Sequence, residues 1–189
     1  MPKRFFDLTE NMQTGNWDLG DPLDESGREV EDPYVFTTGQ PVQVQGKLTI
    51  PVDQRGRRLD FSLAGLGVAP VVHPRVAALF TKLAPDDVQL IPVDVQGQPD
   101  PYFILVATKL IRCIDDDASE EMLYWKPEDE RPEKLGRYRS VAGMRIDRSK
   151  VGDAQVFRTW GWDVALIVSE DIKTALERAK ATGVRFKEV

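Results

Sequence analysis

The C-terminal part of the chain carries the pattern that restricts the fold most. Val164 to Val168 is an uninterrupted apolar run, and Ser169 follows it directly. Serine favours a helix start, because its hydroxyl accepts a hydrogen bond from one of the free backbone N–H groups there. Gly183 suits the residue that follows a helix, and residues 184–189 then return to a strand-like pattern. Between them, apolar residues recur at the spacing of one helix face, namely Ile172, Ala175, Leu176 and Ala179. The sequence therefore predicts strand, helix and strand in succession, on a sheet that buries the helix face.

The middle of the chain predicts one more helix and a β-hairpin. Pro74 suits the first position of a helix, where its missing N–H is not needed, and apolar residues continue at helical spacing to Leu83. Val88 to Val95 and Tyr102 to Ile114 are typical of strands, and the short Gly- and Pro-containing link between them favours antiparallel pairing. Tyr102 to Ile114 is the most apolar segment, so we expect it at the centre of a sheet.

Other segments have weaker patterns. Residues 42–52 alternate between apolar and polar, which predicts a half-buried strand. Strands are also expected at 143–147 and near 155–158. Residues 7–33 are polar and rich in Asp, Gly and Pro, which predicts mostly loop. The expected anchors of this loop are Phe5, Phe6 and Trp17.

These elements predict an α+β fold with a mixed or mainly antiparallel sheet and few helices, ending in the strand–helix–strand unit. At 189 residues the chain is long enough for one domain with a substantial core. We expect a single domain over residues 1–189. Within it, residues 1–40 form a loop-rich N-terminal segment, 41–114 a first lobe with one helix, and 141–189 the C-terminal lobe.

Charge is unevenly distributed along the chain. The formal net charge is −6. Residues 1–33 carry nine acids and three bases, and residues 115–134 carry the same numbers, so each stretch has a net charge of 3 − 9 = −6. Because nucleic-acid phosphates repel carboxylates, this pattern disfavours nucleic-acid binding. It is compatible with a basic protein partner, and equally with an acidic surface that maintains solubility.

The residues that metal sites and nucleophilic enzymes require are scarce. With one histidine and one cysteine the chain cannot assemble the Cys and His ligands of a zinc site, and Asp115-Asp116-Asp117 lacks the spacing of a calcium loop. A nucleophilic pair of Cys113 and His73 is conceivable, but Cys113 lies in an apolar strand and is better interpreted as a buried thiol. The sequence thus predicts no catalytic residue, cofactor or metal ligand. Its 31 acids leave an enzyme based on clustered carboxylates open as an alternative.

The remaining possibility is a surface that binds another molecule. No apolar run of membrane-spanning length and no secretory signal pattern is present, so the sequence predicts a cytoplasmic protein. Exposed aromatic residues are favoured anchors for protein partners. A dense group of acids with an aromatic residue beside it follows the predicted central strand. We expect the partner-binding residues there, at Asp115, Asp116, Asp117, Glu120, Glu121 and Trp125.

An ordered set of short motifs runs through the chain. It comprises Pro70 to Pro74, Asp86 to Val93, Met144 to Gly152, Val156 to Arg158, Gly161-Trp162, Leu166 to Glu170 and Thr182 to Phe186. Together these motifs resemble the eleventh-numbered immunity-protein family of bacterial polymorphic toxin systems, formerly a domain of unknown function. The resemblance covers most of the chain and is strongest over residues 144–189.

The resemblance implies a function by binding. Members of that family are expected to neutralise a cognate toxin, encoded nearby, through direct contact, and the family offers no catalytic residues to transfer to this chain. Two alternatives remain, an enzyme of an unrecognised class and a general protein-interaction adaptor. A deep cleft that brings together two or more acids with raised pKa values would favour the enzyme.

Overall fold

Residues 2–189 are described by a computed structural model and contain fourteen strands and two α-helices. The strands are Phe5–Glu10 (β1), Asp18–Leu19 (β2), Leu48–Ile50 (β3), Val52–Gln54 (β4), Phe61–Ala64 (β5), Ala69–Val72 (β6), Val88–Val95 (β7), Pro101–Ala107 (β8), Leu110–Ile111 (β9), Glu121–Tyr124 (β10), Tyr138–Ala142 (β11), Val156–Thr159 (β12), Trp162–Ser169 (β13) and Val184–Glu188 (β14). The helices are Pro74–Leu83 (α1) and Glu170–Arg178 (α2).

Ten of the strands form two five-stranded sheets. Sheet 1 has the order β14-β1-β13-β12-β9, and sheet 2 has the order β3-β7-β8-β6-β5. Most neighbouring strands are antiparallel, and the pairs β12 with β9 and β3 with β7 are parallel. Two smaller ribbons, β2 with β4 and β10 with β11, complete the set. The predicted α+β class with a mixed, mainly antiparallel sheet and few helices is confirmed.

The predicted C-terminal unit is present, but its two strands are not neighbours. β1 lies between β13 and β14 and pairs antiparallel with both, with Phe6 opposite Val168 on one side and Glu188 on the other. The prediction of loop from residue 7 onward is therefore wrong for residues 7–10. Asp7, Thr9 and Glu10 make the segment look polar, yet Phe5, Phe6 and Leu8 are buried because core packs against both faces of sheet 1.

Helix α2 begins as predicted and ends earlier than predicted. The Ser169 hydroxyl accepts a hydrogen bond from the Ile172 N–H, at 3.4 Å. The left-handed residue after the helix is Lys180, with φ of 51°, and not Gly183. Gly183 also has a positive φ, 85°, but its role is different: a side chain there would overlap the carbonyl oxygen of Phe61. The glycine allows the chain entering β14 to pass close to β5.

Helix α1 and the hairpin that follows it match the prediction closely. His73 is the residue before α1, and its ring nitrogen Nδ1 accepts a hydrogen bond from the Arg75 N–H at 3.2 Å. β7 and β8 pair antiparallel from Val88 opposite Ala107 onward, and β8 is the central strand of sheet 2. β8 ends at Ala107, so the predicted strand to residue 114 is divided, and its second part, β9, joins sheet 1.

Two other strand predictions need correction. Residues 42–47 lie outside any strand, and only β3 and β4 form within the expected 42–52 segment, on either side of Pro51. At 143–147 a single bridge between Ile146 and Ile114 replaces the expected strand. The alternation there reflects burial of Met144 and Ile146 beneath a loop, since both pack in the core of sheet 1.

Three hydrophobic clusters form the core. Between the sheets, the buried Phe61 and Phe80 belong to one cluster with Leu105 of sheet 2 and Leu166 of sheet 1. The opposite face of sheet 1 is covered by the 111–154 region, and Cys113 is fully buried there. Burial raises the pKa of the Cys113 thiol to about 12, so the thiol is protonated at neutral pH, as expected for a structural cysteine.

Two buried carboxylates fasten the sheets to each other. Asp87, between α1 and β7, accepts hydrogen bonds from the backbone N–H groups of Gln155 at 2.6 Å and Val156 at 3.2 Å, and lies 2.6 Å from Lys109 Nζ. Asp60, before β5, is paired with Arg75 and accepts the Thr182 N–H at 2.8 Å. Both connections join groups far apart in sequence, so they act on the assembled fold and not on local structure.

A third carboxylate, Asp7 in the middle of sheet 1, has an unsatisfied oxygen. Its Oδ1 has no hydrogen-bond partner among the described residues. Burial raises the pKa of Asp7 to about 6, although the charges of Arg158 and Lys187 and the Leu166 N–H act in the opposite direction. In the unfolded chain the same carboxyl ionises near pH 4. Ionised Asp7 therefore costs the fold roughly 3 kcal/mol.

We expect Asp7→Asn to raise stability at pH 7 to 8 by about 1–2 kcal/mol and to change its pH dependence. Between pH 6 and 4 the folded protein binds a proton that the unfolded chain does not, so Asp7 makes the free energy of unfolding rise as pH falls. The variant should lack this contribution, as urea unfolding at several pH values would show. If the two proteins were equally stable at pH 4 and also at pH 7.5, the raised pKa of Asp7 would be contradicted.

Candidate functional site

The predicted acidic residues lie on a turn between β9 and β10. Ile114 is tied to Ile146 by a β-bridge, and Asp115 then begins the turn. The Asp115 carboxylate accepts the Ala118 N–H at 3.1 Å, and its carbonyl oxygen accepts the Ser119 hydroxyl at 2.6 Å. Through these two bonds Asp115 stabilises the turn.

The other four acids are exposed and differ in their surroundings. Asp116 accepts the hydroxyl of Tyr138 at 2.6 Å, and Glu120 lies over Gly143, where a side chain would overlap it. Burial, with this Asp116 bond, raises the pKa of the Tyr138 hydroxyl, which therefore stays a donor. Asp117 and Glu121 point into solvent. None of the five predicted acids forms an ion pair with another described residue, so their negative charge is uncompensated locally.

β10 and β11 form an antiparallel ribbon that has one face on the protein. Met122, Tyr138 and Val141 pack against the core of sheet 1. Leu123 and Tyr124 are 48% and 39% exposed. Apolar residues this exposed are available to a partner, since neither is needed to complete the core.

Trp125 lies at the far end of β10 from the acids. Glu121 begins this strand and Trp125 follows it, so the two are about 13 Å apart at the rise of a β-strand. The Trp125 ring has Lys134 Nζ 4.7 Å and the Arg139 guanidinium 5.4 Å from its centre. Arg139 is held there by Asp129, at 2.9 Å. The structure thus divides the predicted site into an acidic turn and a cation-flanked tryptophan, with exposed apolar residues between them.

Two aromatic contacts beside this surface escaped the sequence prediction. The rings of Tyr124 and Tyr138 lie 4.9 Å apart across the ribbon, and the Arg112 guanidinium lies 4.4 Å from the centre of the Trp160 ring. The Tyr138 ring also lies beside Gly161, where an added side chain would come within 3.0 Å of it. No local pattern relates Arg112 or Tyr138 to the tryptophan region, because their proximity comes from the meeting of β9, β11 and β12.

We name this region the ribbon surface, and it extends over the acidic turn 115–121, the outer face of β10 and β11, and Trp125. It combines carboxylates without ion-pair partners, cations, the exposed Tyr124 and the half-buried Trp125. Tryptophan, tyrosine and arginine are the residues enriched at the energetic centres of protein interfaces. Charged and apolar residues are exposed side by side on this surface, which suits contact with another macromolecule.

Residues 4–189 match the family described as "Immunity protein family (Imm11)". This chain belongs to the Imm11 immunity protein family. The match covers nearly all of the sequence and confirms the resemblance found from its motifs. No curated protein matches the sequence. Membership of Imm11 indicates a toxin-neutralising role in immunity.

Two acids of this Imm11 protein, Asp7 and Glu10, have raised pKa values. A groove of about 880 Å³ is lined by Glu10, Met12 and Leu66. Burial, with the nearby Asp18 charge, raises the pKa of Glu10, whose carboxylate accepts the Leu63 N–H at 2.6 Å. The other acid with a raised pKa, Asp7, is outside this groove. Of the two carboxyl groups with raised pKa values, only that of Glu10 therefore lines this groove.

Two further findings describe the same residues. Among positions 2–189 no three His, Cys, Asp or Glu side chains come together as metal ligands would. Neither described helix of this Imm11 chain has the length and apolar character needed to cross a bilayer.

Proposed function

We propose that this Imm11 protein binds a cognate bacterial toxin, encoded by a neighbouring gene, and neutralises it by direct protein–protein contact in the cytoplasm. Membership of Imm11 over residues 4–189 is the observation that carries the proposal. The whole chain, residues 1–189, acts as one binding domain in this proposal. The function needs no catalytic residue, metal or cofactor.

We further propose the ribbon surface as the toxin-binding surface. The five predicted acids supply a negative field that attracts a basic toxin surface. They are Asp115, Asp116, Asp117, Glu120 and Glu121. Trp125 is half-buried and supplies a rigid aromatic anchor, with Lys134 and Arg139 over its ring. A standard interface of about 800 Å² per partner can include the turn and the tryptophan at once.

The experiment that tests the function is rescue from toxicity. The toxin domain encoded next to this gene is expressed in a naive host with and without the immunity protein, and the two proteins are then co-purified. Rescue with a stable complex supports neutralisation by binding. Rescue without a complex would instead indicate enzymatic removal of the toxic product, and toxicity without rescue would favour a general adaptor.

Charge reversal tests the surface. We expect Asp116→Lys, Asp117→Lys and Glu121→Lys together to weaken toxin binding by about 10- to 100-fold, mostly by slowing association, because charges at the rim of an interface steer encounter. Surface plasmon resonance at two salt concentrations measures both rates. The matched control is Asp86→Lys, Asp94→Lys and Asp153→Lys, which changes the net charge equally at exposed positions elsewhere. Unchanged affinity in the first variant, or equal loss in the control, would exclude the acidic turn from the interface.

A further inference from the structure

A second surface, remote in sequence from the ribbon surface, has the features of a peptide-binding cleft. It is formed by the acidic N-terminal segment, whose charge the proposed function leaves unexplained. A cleft of about 730 Å³ lies between residues 24–36 and residues 42–48. This volume is in the range of ordinary ligand clefts.

The floor of the cleft is apolar. Phe36, Val42 and Leu48 are buried and belong to the core of sheet 2. Val30 and Val44 line the same cleft, pack against that core and remain partly exposed. An apolar side chain entering the cleft would therefore contact valine methyl groups that are already held in place.

The rim of the cleft is negatively charged. Its lining contains four acids and one base, Arg28, a net charge of 1 − 4 = −3. Glu29 and Glu31 are exposed and make no side-chain hydrogen bond or ion pair within the described part of the chain. The other two acids, Asp24 and Asp32, hold the loop through bonds to the N–H groups of Ser26 and Tyr34. Glu29 and Glu31 lie on an ordered loop, and both are free to pair with a positively charged side chain of a ligand.

One wall of the cleft contains backbone groups without hydrogen-bond partners among the described residues. The side-chain amide of Gln89 both donates to the Val42 carbonyl, at 2.8 Å, and accepts from the Val42 N–H, at 2.7 Å. This pair occupies the place of a strand contact, and the chain beyond it separates from β7. Over residues 2–189 no backbone group of Gln43, Val44 or Gln45 takes part in a hydrogen bond. Unpaired groups of this kind can pair with the main chain of an added peptide.

Both walls are also tied together. The Glu25 carboxylate accepts the Lys47 N–H at 3.1 Å and lies over Gly46, which has a φ of 71°. These contacts fix the two walls relative to each other, which lowers the conformational entropy lost when a ligand binds.

We propose that this cleft binds an extended, basic segment of a protein partner. Main-chain groups of the segment pair with residues 43–45, an apolar side chain contacts Val30 and Val44, and a lysine or arginine on either side of it pairs with Glu29 or Glu31. Backbone pairing provides affinity, and the carboxylate rim selects basic over acidic segments. The proposal stands independently of the ribbon surface and of toxin neutralisation.

The test uses the full-length protein and a capped eight-residue peptide that alternates lysine and valine. We expect this peptide to bind measurably by isothermal titration calorimetry and to shift the methyl NMR signals of Val30 and Val44. A peptide alternating glutamate and valine should not bind. One alternating lysine and serine should bind at least about 10-fold more weakly, and so should the lysine–valine peptide with its backbone N-methylated at alternate positions.

Protein variants identify the cleft. Glu29→Gln with Glu31→Gln should weaken binding of the lysine–valine peptide by about 10-fold. The matched pair Asp86→Asn with Asp153→Asn removes two exposed charges outside both proposed surfaces and should leave the affinity unchanged. Circular dichroism melts confirm that both proteins fold. Absence of binding at millimolar peptide, equal binding of the acidic peptide, or equal loss in the two variant proteins would overturn the proposal. The toxin-rescue experiment is scored separately, so failure of one proposal does not decide the other.

Discussion

Asp87→Ala is expected to lower the free energy of unfolding by about 3–5 kcal/mol, because it removes one partner from a buried ionic and hydrogen-bonded cluster. The Asp87 side chain is 5% exposed and lies 2.6 Å from Lys109 Nζ. Its loss would also leave the N–H groups of Gln155 and Val156 without an acceptor inside the protein. The damage should fall on the junction between the two sheets, and urea unfolding followed by tryptophan fluorescence measures it.

The chain contains a matched control for this variant. Asp153 also faces Lys109, at 3.9 Å, but its side chain is fully exposed. Exposed pairs contribute little because water and salt screen them, so Asp153→Ala should leave the urea midpoint nearly unchanged. Similar losses for the two variants would mean that Asp87 acts as a surface charge and does not join the sheets.

Gly183→Ala is expected to lower the free energy of unfolding by about 3 kcal/mol or more, because a left-handed backbone and a steric overlap act together. The added side chain would overlap the Phe61 carbonyl oxygen, a backbone atom that cannot turn aside, and Gly183 has a φ of 85°. Relief would require β14 to move away from β5, which would weaken the bonds of its neighbours, including the Asn11 N–H to the Gly183 carbonyl at 2.9 Å. Thermal unfolding and the urea midpoint report the change.

Gly152→Ala separates the steric contribution to the loss of stability from the conformational one. Gly152 has a φ of 67°, and an added side chain there would meet no atom within 4 Å. It should therefore show only the conformational penalty of a left-handed residue, about 1 kcal/mol. If the variant at Gly183 is no less stable than the one at Gly152, the close approach to β5 is not a constraint on the fold.

The elements that could be predicted from sequence are those that local chemistry specifies. Pro74 and Ser169 mark helix starts by hydrogen-bonding rules that act within one turn, and both helices begin as expected. The β7–β8 hairpin follows from a short link between two apolar runs. The place of β1 in sheet 1 was harder to predict, because its burial depends on partners near the other end of the chain. Asp7 also interrupts the apolar pattern of this strand.

The candidate surfaces show the same division. The exposure of the acidic turn agrees with its composition, since four of its five acids are exposed. The separation of Trp125 from those acids was not predictable, because it depends on where β10 begins and ends and on the two cations that cover the ring. The cleft at residues 24–48 could not be predicted either. The alternation of residues 42–52 predicts a strand, whereas the Gln89 side-chain amide takes both backbone hydrogen bonds of Val42.

The position of β1 between β13 and β14 also sets the order of events during synthesis. Both neighbours of residues 5–10 are made only after about 150 further residues have been joined. At 5–20 residues per second, β1 waits roughly 10–30 s on the ribosome with no strand to pair with. Sheet 1 therefore closes around its first strand last, by contacts of the largest sequence separation in the chain, which predicts slow maturation of the newly made protein.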